Sequence, residues 1–329
     1  MRRKILSIFL ILCSLFATGC SPDPGVPLSK TDFFFDTVIT ISLYDKKDSG
    51  LIDSAFELCK EYENKFSRTI PTSEISKINK SKGQPVTVSD DTIFLLEKGL
   101  YYSRLSNGAY DLTIAPLSML WDFKNNTGSI PSKKDILNRQ KHVNYKNLLI
   151  DGNTVTLLDP EASIDLGSIA KGYIADQLKV FLVSKGVKHA IIDLGGNVLT
   201  IGNKTDGNNF TVGIQKPFDE RNQTIASLSI NDKSVVSSGI YERYFKIDDK
   251  IYHHILNPST GYPYENDLLG VTIISDSSVD GDALSTTCFS LGLDKGLSLI
   301  DQIDGVEAVF ITSDHELHYS KKIKDIIIK

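Results

Sequence analysis

The segment 280–287, DGDALSTT, combines carboxylates with hydroxyl groups at the start of a predicted helix. Asp282 and Thr286 are four residues apart and therefore share one helix face, with Ser285 beside them. One carboxylate with hydroxyl oxygens, leaving room for water and phosphate oxygens, is a donor set that Mg²⁺ accepts. Asp and Ser are also ordinary capping residues of a first helical turn, so a purely structural role stays open.

The segment 164–172, IDLGSIAKG, follows a predicted strand and opens a predicted helix. The free N–H groups at a helix N-terminus attract anions. Gly167 would let the backbone approach a ligand closely, and Lys171 would add a positive charge. The spacing is not that of a Walker phosphate loop. The alternative is a capped helix whose lysine faces solvent.

The segment 252–263, YHHILNPSTGYP, contains two of the six histidines. Neighbouring residues of a strand face opposite sides, so only one of His253 and His254 can face a given site. One imidazole beside a cleft suits a general base, because its ordinary pKa lies near neutrality. A turn at 257–261 would hold the end of this strand. A lone histidine is also commonly structural.

Two shorter segments have weaker patterns. The segment 108–113, GAYDLT, follows a predicted helix and places small residues beside an aromatic ring, a carboxylate and a hydroxyl. The segment 193–198, DLGGNV, is typical of a tight hairpin. Each of them alone is compatible with an ordinary turn.

A mixture of helices and strands must position these segments. Apolar periodicity and capping residues predict helices over 51–66, 89–105, 170–184 and 280–303. Strands are predicted over 33–43, within 190–272 between turns at 195–197, 206–207, 231–232 and 248–249, and over 307–328. No regular βαβ alternation is present. We therefore expect an α+β fold of helices and antiparallel strands, as a single large domain with two intimate subdomains.

The first residues predict export. Basic residues at 2–4 precede an apolar run at 5–16 that is too short to span a bilayer. Small residues at 17–19 then end at Cys20, which is similar to the lipobox of bacterial lipoproteins. We expect a signal peptide over 1–19, a lipid anchor at Cys20, a tether over 20–30 with three prolines, and a catalytic domain over 31–329. The predicted location is extracytoplasmic and membrane-anchored; the alternative is an ordinary cleaved signal with a chance cysteine.

The net charge is −5 and becomes more negative if the three basic residues of the leader are removed. Such a chain has no general attraction for nucleic acid or anionic lipid, so any phosphate site must be local. Cys59 and Cys288 lie in apolar helical patterns and are expected to be buried free thiols, with a disulfide as the alternative. The sequence has no Cys/His spacing typical of a metal site.

Taken together and in this order, the segments resemble the FAD:protein FMN transferase (ApbE) family of bacterial flavin transferases. The resemblance covers about residues 31 to 320, and its matching stretches are 108–111 with Pro116, Leu117 and Trp121, then 165–172, 194–197, 254–261 and 282–286. Weaker matches lie at 35–37, 66–67, 73–75 and Asn79. The resemblance implies an α+β fold, a location outside the cytoplasm, and transfer of FMN from FAD to a threonine or serine of a target protein with release of AMP.

The resemblance also implies roles for single residues. Mg²⁺ would be bound by Asp282, Ser285 and Thr286 and by an oxygen of Ser168, which in relatives is typically the main-chain carbonyl. His254 would be the catalytic base, although an aspartate at the metal competes for that role. The substrate FAD would be held by eight residues: Phe35, Thr69, Ala109, Tyr110, Asp111, Asp165, Lys171 and Ile255. Relatives often carry methionine at the first of these positions and tyrosine at the second, and variation near the second is associated with FAD hydrolysis.

The expected partners are therefore FAD, the membrane through Cys20, and an extracytoplasmic target protein such as a flavin-linked redox subunit or an electron-transfer lipoprotein. Nucleic acid is not among them. Two rival functions stay open: a Mg²⁺-dependent FAD pyrophosphatase that makes FMN and AMP with water as nucleophile, and a flavin-binding lipoprotein without catalysis. A generic solute-binding lipoprotein would need two similar lobes joined by a hinge, a pattern that the sequence does not have.

Overall fold

The computed structural model describes residues 26–125, 128–220 and 223–328. The predicted signal peptide, Cys20 and most of the predicted tether lie outside these residues. In the described part, no helix is both long enough and apolar enough to span a membrane.

Helices and strands are interspersed along the described chain. The eight helices are α1 Ser49–Phe66, α2 Glu74–Lys80, α3 Asp90–Leu105, α4 Ala115–Trp121, α5 Lys133–Gln140, α6 Ala170–Ser184, α7 Ser278–Leu291 and α8 Leu293–Ile300. The sixteen strands are β1 Leu28–Phe34, β2 Thr37–Leu43, β3 Val86–Thr87, β4 Leu148–Asp151, β5 Thr154–Leu157, β6 Ala190–Asp193, β7 Asn197–Ile201, β8 Phe210–Gln215, β9 Thr224–Ile230, β10 Ser234–Gly239, β11 Tyr244–Ile247, β12 Lys250–His253, β13 Leu268–Ser275, β14 Glu307–Thr312, β15 Leu317–Tyr319 and β16 Ile327–Ile328.

The largest sheet has eight strands in the order β1-β2-β6-β7-β10-β13-β14-β15, and every neighbouring pair is antiparallel. Three smaller sheets, β16-β9-β8, β3-β5-β4 and β11-β12, are antiparallel as well. All eight residues of β13 are buried, so both faces of the sheet are covered at this central strand. Helix α7 packs on β10 and β13, and α6 packs on α7. The predicted α+β class with antiparallel strands is confirmed.

The predicted strand over 33–43 is wrong in one respect, because it is a hairpin. Phe35 and Asp36 have φ values of 53° and 58° and form a two-residue turn between β1 and β2. Positive φ at both positions is the requirement of a type I′ turn, which usually selects Asn-Gly or Asp-Gly. The sequence lacks that signal. Strand β1 also begins at Leu28, so residues 28–30 belong to the sheet and not to the predicted tether.

The helices predicted over 51–66, 89–105 and 170–184 are confirmed as α1, α3 and α6. The helical pattern over 280–303 is interrupted at Gly292, whose φ of 81° ends α7 before α8 begins. Helices α2, α4 and α5 were not predicted. They have only seven or eight residues, too few for a clear helical period.

The described residues form a single domain with two clusters of buried apolar side chains. The large cluster includes residues on β2, β13 and β14 of the main sheet and the helices packed on it. The satellite cluster contains Leu117, Trp121, Ile136, Phe245 and Leu256. Cys59 and Cys288 are buried free thiols, as expected.

Candidate active site

Helices α6 and α7 are fixed to each other by reciprocal hydrogen bonds. The N–H of Gly172 donates to Asp282 Oδ2 at 2.9 Å. In return, the Asp176 carboxylate accepts from the N–H groups of Ser278 and Val279, both at 2.9 Å, and so caps the start of α7. A Cβ at Gly172 would lie 2.2 Å from the Ser278 carbonyl oxygen, so no side chain fits there. This close contact determines where Asp282 lies.

Asp282 is a buried carboxylate of which only one oxygen, Oδ2, accepts a hydrogen bond within the described residues. It is 4% exposed, and within the described residues its Oδ1 has no hydrogen-bond donor. Burial raises the pKa of Asp282 above its ordinary value, although the charge of Lys171 and the Gly172 N–H oppose the shift. A buried carboxylate with a shifted pKa in a polar cluster is a candidate functional group.

A main-chain oxygen of Ser168 is also left without a partner. In a regular helix the N–H of Gly172 would bond to the carbonyl four residues earlier, but here it donates to Asp282. The Ser168 carbonyl accepts no hydrogen bond from any residue that the structure describes. The Ser168 hydroxyl donates to the Tyr110 hydroxyl at 3.0 Å and is therefore occupied elsewhere.

The two hydroxyl residues of α7 that were predicted as metal ligands, Ser285 and Thr286, differ in exposure. Thr286 is half-buried, whereas Ser285 is completely buried and donates to the Asp282 carbonyl at 2.8 Å. Ser238 on β10 lies 2.8 Å from Ser285 Oγ and 3.1 Å from Thr286 Oγ1. Ser285 is therefore a buried residue whose hydroxyl bonds to neighbouring protein groups, whereas the Thr286 hydroxyl lies at the partly exposed edge of the site.

These oxygens fit a divalent cation. Across the described ranges, no group of three or more His, Cys, Asp or Glu side chains converges as a metal site. A cation site among these residues would therefore depend largely on neutral oxygens, and Asp282 Oδ1, the Thr286 hydroxyl and the Ser168 carbonyl are the candidate ligands. Mg²⁺ prefers this type of oxygen ligand.

Lys171, in the first turn of α6, is the cation beside these oxygens. Its Nζ lies 3.5 Å from the Gly195 carbonyl, and its charge acts on both Asp282 and His254. The ring of Tyr110 is 3% exposed, and burial together with the nearby aspartate charges, including Asp282, raises the pKa of its hydroxyl. Residues from four separate sequence segments thus share one electrostatic environment.

Asp165 is held by three donors. They are Arg68 Nε at 3.0 Å, Ser118 Oγ at 3.0 Å and the Gly167 N–H at 2.9 Å. Arg68 was not predicted, because a single basic residue in a polar loop has no recognisable sequence pattern. Its position next to Thr69, a predicted FAD contact, was the one feature of the sequence that could have indicated it. Thr69 itself is exposed and is bonded to Ser67, so it joins the cluster through its neighbour.

The 108–113 segment is tied to the histidine segment by Tyr264, which the sequence did not indicate. Its hydroxyl donates to the Ala109 carbonyl at 2.8 Å, and its N–H donates to the Ile255 carbonyl at 3.0 Å. Asp111 is buried, and its carboxylate accepts from Thr113 and from the Tyr145 N–H. Both Asp111 oxygens are therefore occupied within the protein.

The two histidines have separate environments, as predicted, although β12 ends at His253 and His254 lies in the bend that follows it. His253 is 4% exposed; its Nε2 donates to the Tyr264 carbonyl and its Nδ1 accepts from the Ile255 N–H. His254 is half-buried, and its Nδ1 lies 3.3 Å from the Arg243 carbonyl. A carbonyl can only accept, so His254 Nδ1 carries the proton and Nε2 keeps its lone pair. Burial and the charges around it, including Arg243, lower the pKa of His254 to about 3.

The satellite cluster holds the turn that follows His254. Trp121 Nε1 donates to the Gly261 carbonyl at 2.8 Å. Gly261 has a φ of 75°, and a Cβ there would lie 2.5 Å from a methyl group of Ile136. The turn at 257–261 thus depends on residues that are distant in sequence.

The β1–β2 hairpin borders the site on another side. The N–H of Phe35 donates to Glu63 at 2.7 Å, and the Phe35 side chain is half-buried. A Cβ at Gly195 would lie 1.9 Å from Thr37 Oγ1, so the hairpin packs directly on the turn that contacts Lys171. Phe35 is therefore at the margin of the cluster.

His253 should make the stability of the fold depend on pH. Burial lowers its pKa from 6.5 to about 4, against the Tyr264 carbonyl bond. The unfolded chain therefore binds a proton near pH 6.5, whereas the native chain does not until about pH 4. The stability that the neutral His253 contributes is therefore complete above about pH 6.5. It decreases as the pH falls from 6.5 towards 4, by up to about 3 kcal/mol in the free energy of unfolding. Urea unfolding across this interval should show a smaller pH dependence for His253→Gln than for wild type; equal slopes would contradict the assignment.

The comparisons with known proteins extend over most of the chain. The sequence model of the ApbE family matches residues 35–310. The FAD:protein FMN transferase of Klebsiella pneumoniae (strain 342) is 39% identical over 282 residues, which cover 85% of this chain and 87% of that protein. The FAD:protein FMN transferase of Treponema pallidum (strain Nichols) is 31% identical over 340 residues, covering 97% and 94%.

Two solved structures of ApbE proteins have a similar fold. The ApbE protein from Thermotoga maritima has a TM-score of 0.84 at 31% identity, covering 92% of this chain and 100% of that one. The flavin transferase ApbE from Vibrio cholerae has a TM-score of 0.82 at 25% identity, covering 91% and 99%. This chain has the fold of these structures, and the family model matches most of its length, including the motifs in the same order. It therefore belongs to the ApbE family.

Proposed function

We propose that this protein is an enzyme that transfers FMN from FAD to a threonine or serine hydroxyl of a target protein and releases AMP. The observation that carries the proposal is one cluster: a buried carboxylate with an unpaired oxygen at Asp282, a cation at Lys171 and a neutral imidazole at His254. Relatives named as FAD:protein FMN transferases support it.

The charge of FAD explains the need for this cluster. The pyrophosphate must be neutralised before a hydroxyl can attack its phosphorus. Lys171 and the N-terminal turn of α6 provide positive potential at one side. A divalent cation held by Asp282, Thr286 and the Ser168 carbonyl would neutralise the pyrophosphate and the departing AMP.

His254 is placed to activate the acceptor. Its Nε2 lone pair accepts the proton of the acceptor hydroxyl as the hydroxyl oxygen bonds to the phosphorus of the FMN half. The bond from that phosphorus to the bridging oxygen breaks, and AMP leaves with the electron pair. Arg243 keeps the imidazole in the tautomer that this step requires, because its carbonyl accepts the Nδ1 proton.

Mass spectrometry of a candidate acceptor protein tests the proposal. After incubation with enzyme, FAD and Mg²⁺, we expect the acceptor to gain the mass of FMN minus water, with one AMP released per adduct. Free FMN and AMP at equal rates with and without acceptor would instead identify an FAD pyrophosphatase. Bound but unchanged FAD would identify a flavin-binding protein.

We further propose that the protein is anchored outside the cytoplasm through Cys20. The support is the sequence alone: basic residues, an apolar run and small residues before the cysteine. Cys20→Ala should move the protein from the membrane fraction to the soluble extracytoplasmic fraction. Unchanged membrane retention of this variant would exclude the anchor.

A further inference from the structure

Strand β10 and helix α7 run side by side with matching steps. Along their line of contact, Ser234 Oγ bonds to Ser278 Oγ at 2.9 Å, and a Cβ at Gly281 would lie 3.1 Å from a Val236 methyl group. Each step of two strand residues advances about 6.7 Å, and the corresponding steps of three and then four helix residues advance about 4.5 and 6 Å, so the same two faces remain in contact over this short stretch. The next pair along this line is Ser238 and Ser285, whose hydroxyl oxygens are 2.8 Å apart.

The direction of the hydroxyl bonds follows from the number of protons. Ser285 has one hydroxyl proton and donates it to the Asp282 carbonyl. Ser238 must therefore donate its own proton in the bond to Ser285. Ser238 then has no proton left for its 3.1 Å contact with Thr286, so the Thr286 hydroxyl is the donor in that contact.

The resulting chain of hydrogen bonds runs from Thr286 to Ser238, then to Ser285, and ends at the main-chain carbonyl of Asp282. This chain of hydrogen bonds determines the orientation of the Thr286 hydroxyl. The Thr286 proton is directed at Ser238, so the lone pairs of the Thr286 oxygen are left for a cation.

We propose that Ser238 is a positioning residue for the divalent cation. It accepts a hydrogen bond from the Thr286 hydroxyl. The Thr286 proton then points towards Ser238, and the lone pairs of the Thr286 oxygen are available to the cation. This inference rests on the proposed cation site at Asp282 and Thr286. Without Ser238, the Thr286 hydroxyl loses this acceptor, and its proton is no longer held away from the side of the oxygen that the cation would occupy.

Residues that orient metal ligands typically contribute about 10- to 100-fold to metal affinity. We therefore expect Ser238→Ala to weaken Mg²⁺ binding by roughly this factor. The measurement is calorimetric titration of the FAD-free, full-length protein with Mg²⁺ alone, which does not depend on catalysis. Ser238→Thr keeps a hydroxyl and should bind Mg²⁺ nearly as wild type does.

Ser237 offers a matched control on the same strand. It is half-buried like Ser238, but its hydroxyl bonds to Thr272 Oγ1 at 2.8 Å and not to α7. Ser237→Ala should leave Mg²⁺ affinity unchanged. If the alanine variant of Ser238 does not fold, Ser238→Cys provides the same test, because a thiol fills the space but is a weak acceptor.

The outcomes separate this inference from the proposed function. Wild-type Mg²⁺ affinity in folded Ser238→Ala, or an equal loss in Ser237→Ala, would overturn the role of Ser238. Asp282→Asn supplies the second comparison. If Asp282→Asn loses Mg²⁺ while Ser238→Ala keeps it, only the present inference fails. If Asp282→Asn binds Mg²⁺ as wild type does, the proposed cation site itself is wrong.

Discussion

Asp282→Asn should reduce FMN transfer by at least about 10³-fold, because it removes the charge from the proposed cation site. The asparagine carbonyl can still accept the Gly172 N–H, so the contact between α6 and α7 is kept. The measurement is the rate of acceptor modification over a range of Mg²⁺ concentrations, together with calorimetric Mg²⁺ binding.

The metal-free stability of this variant gives an independent readout. Burial raises the pKa of Asp282, which means that the charged carboxylate is disfavoured in the native state. We therefore expect Asp282→Asn without metal to melt at the same temperature as wild type or at a higher one. Asp280→Asn is the matched control: that carboxylate accepts from Lys98 and Tyr102 and should be dispensable for Mg²⁺. Wild-type turnover by Asp282→Asn in EDTA would rule the site out.

His254→Asn should lower the transfer rate by about 10²- to 10⁴-fold while FAD binding is retained, because a positioned base contributes this much. His253→Asn should lower stability, since the His253 ring is bonded to Tyr264 and Ile255, but its transfer rate should change much less. Single-turnover transfer at saturating FAD, below the melting temperature of both variants, distinguishes them. If His253→Asn is the inactive variant, the assignment of the base is wrong.

The pH profile should also differ from that of an ordinary histidine. The sequence led to an expected pKa near neutrality, but in the structure the pKa of His254 is lowered from 6.5 to about 3. Because kcat/KM reports the ionisation of the free enzyme, it should not decline as the pH falls through 6.5. A decline centred at that value would place the His254 imidazole in a more solvated environment than the one it has in the structure.

Local patterns predicted much of the fold and the candidate site. Helical periodicity identified α1, α3 and α6, and the expected separation of His253 from His254 is found, although His254 lies just after the end of β12. These features depend on residues close in sequence, where spacing alone determines which side chains share a face.

Long-range contacts could not be predicted in this way. The bond between Gly172 and Asp282 joins residues 110 positions apart, and it is this bond that frees the Ser168 carbonyl. Arg68 and Ser238 were missed for the same reason, because neither residue has a distinctive local pattern and each is defined by a partner on another element. The Phe35 turn was missed because a phenylalanine rarely adopts positive φ.

The satellite cluster also gives this protein an optical reporter. Trp121 is the one tryptophan of the sequence, and its ring stacks on Phe123 with centroids 5.5 Å apart. Because its indole N–H bonds to Gly261, its fluorescence monitors the turn that follows His254. A variant that loosens this turn will admit water to the indole and shift its emission to longer wavelength, even where the overall helix content stays constant. Emission from this single ring therefore tracks the order of the histidine segment without any added label.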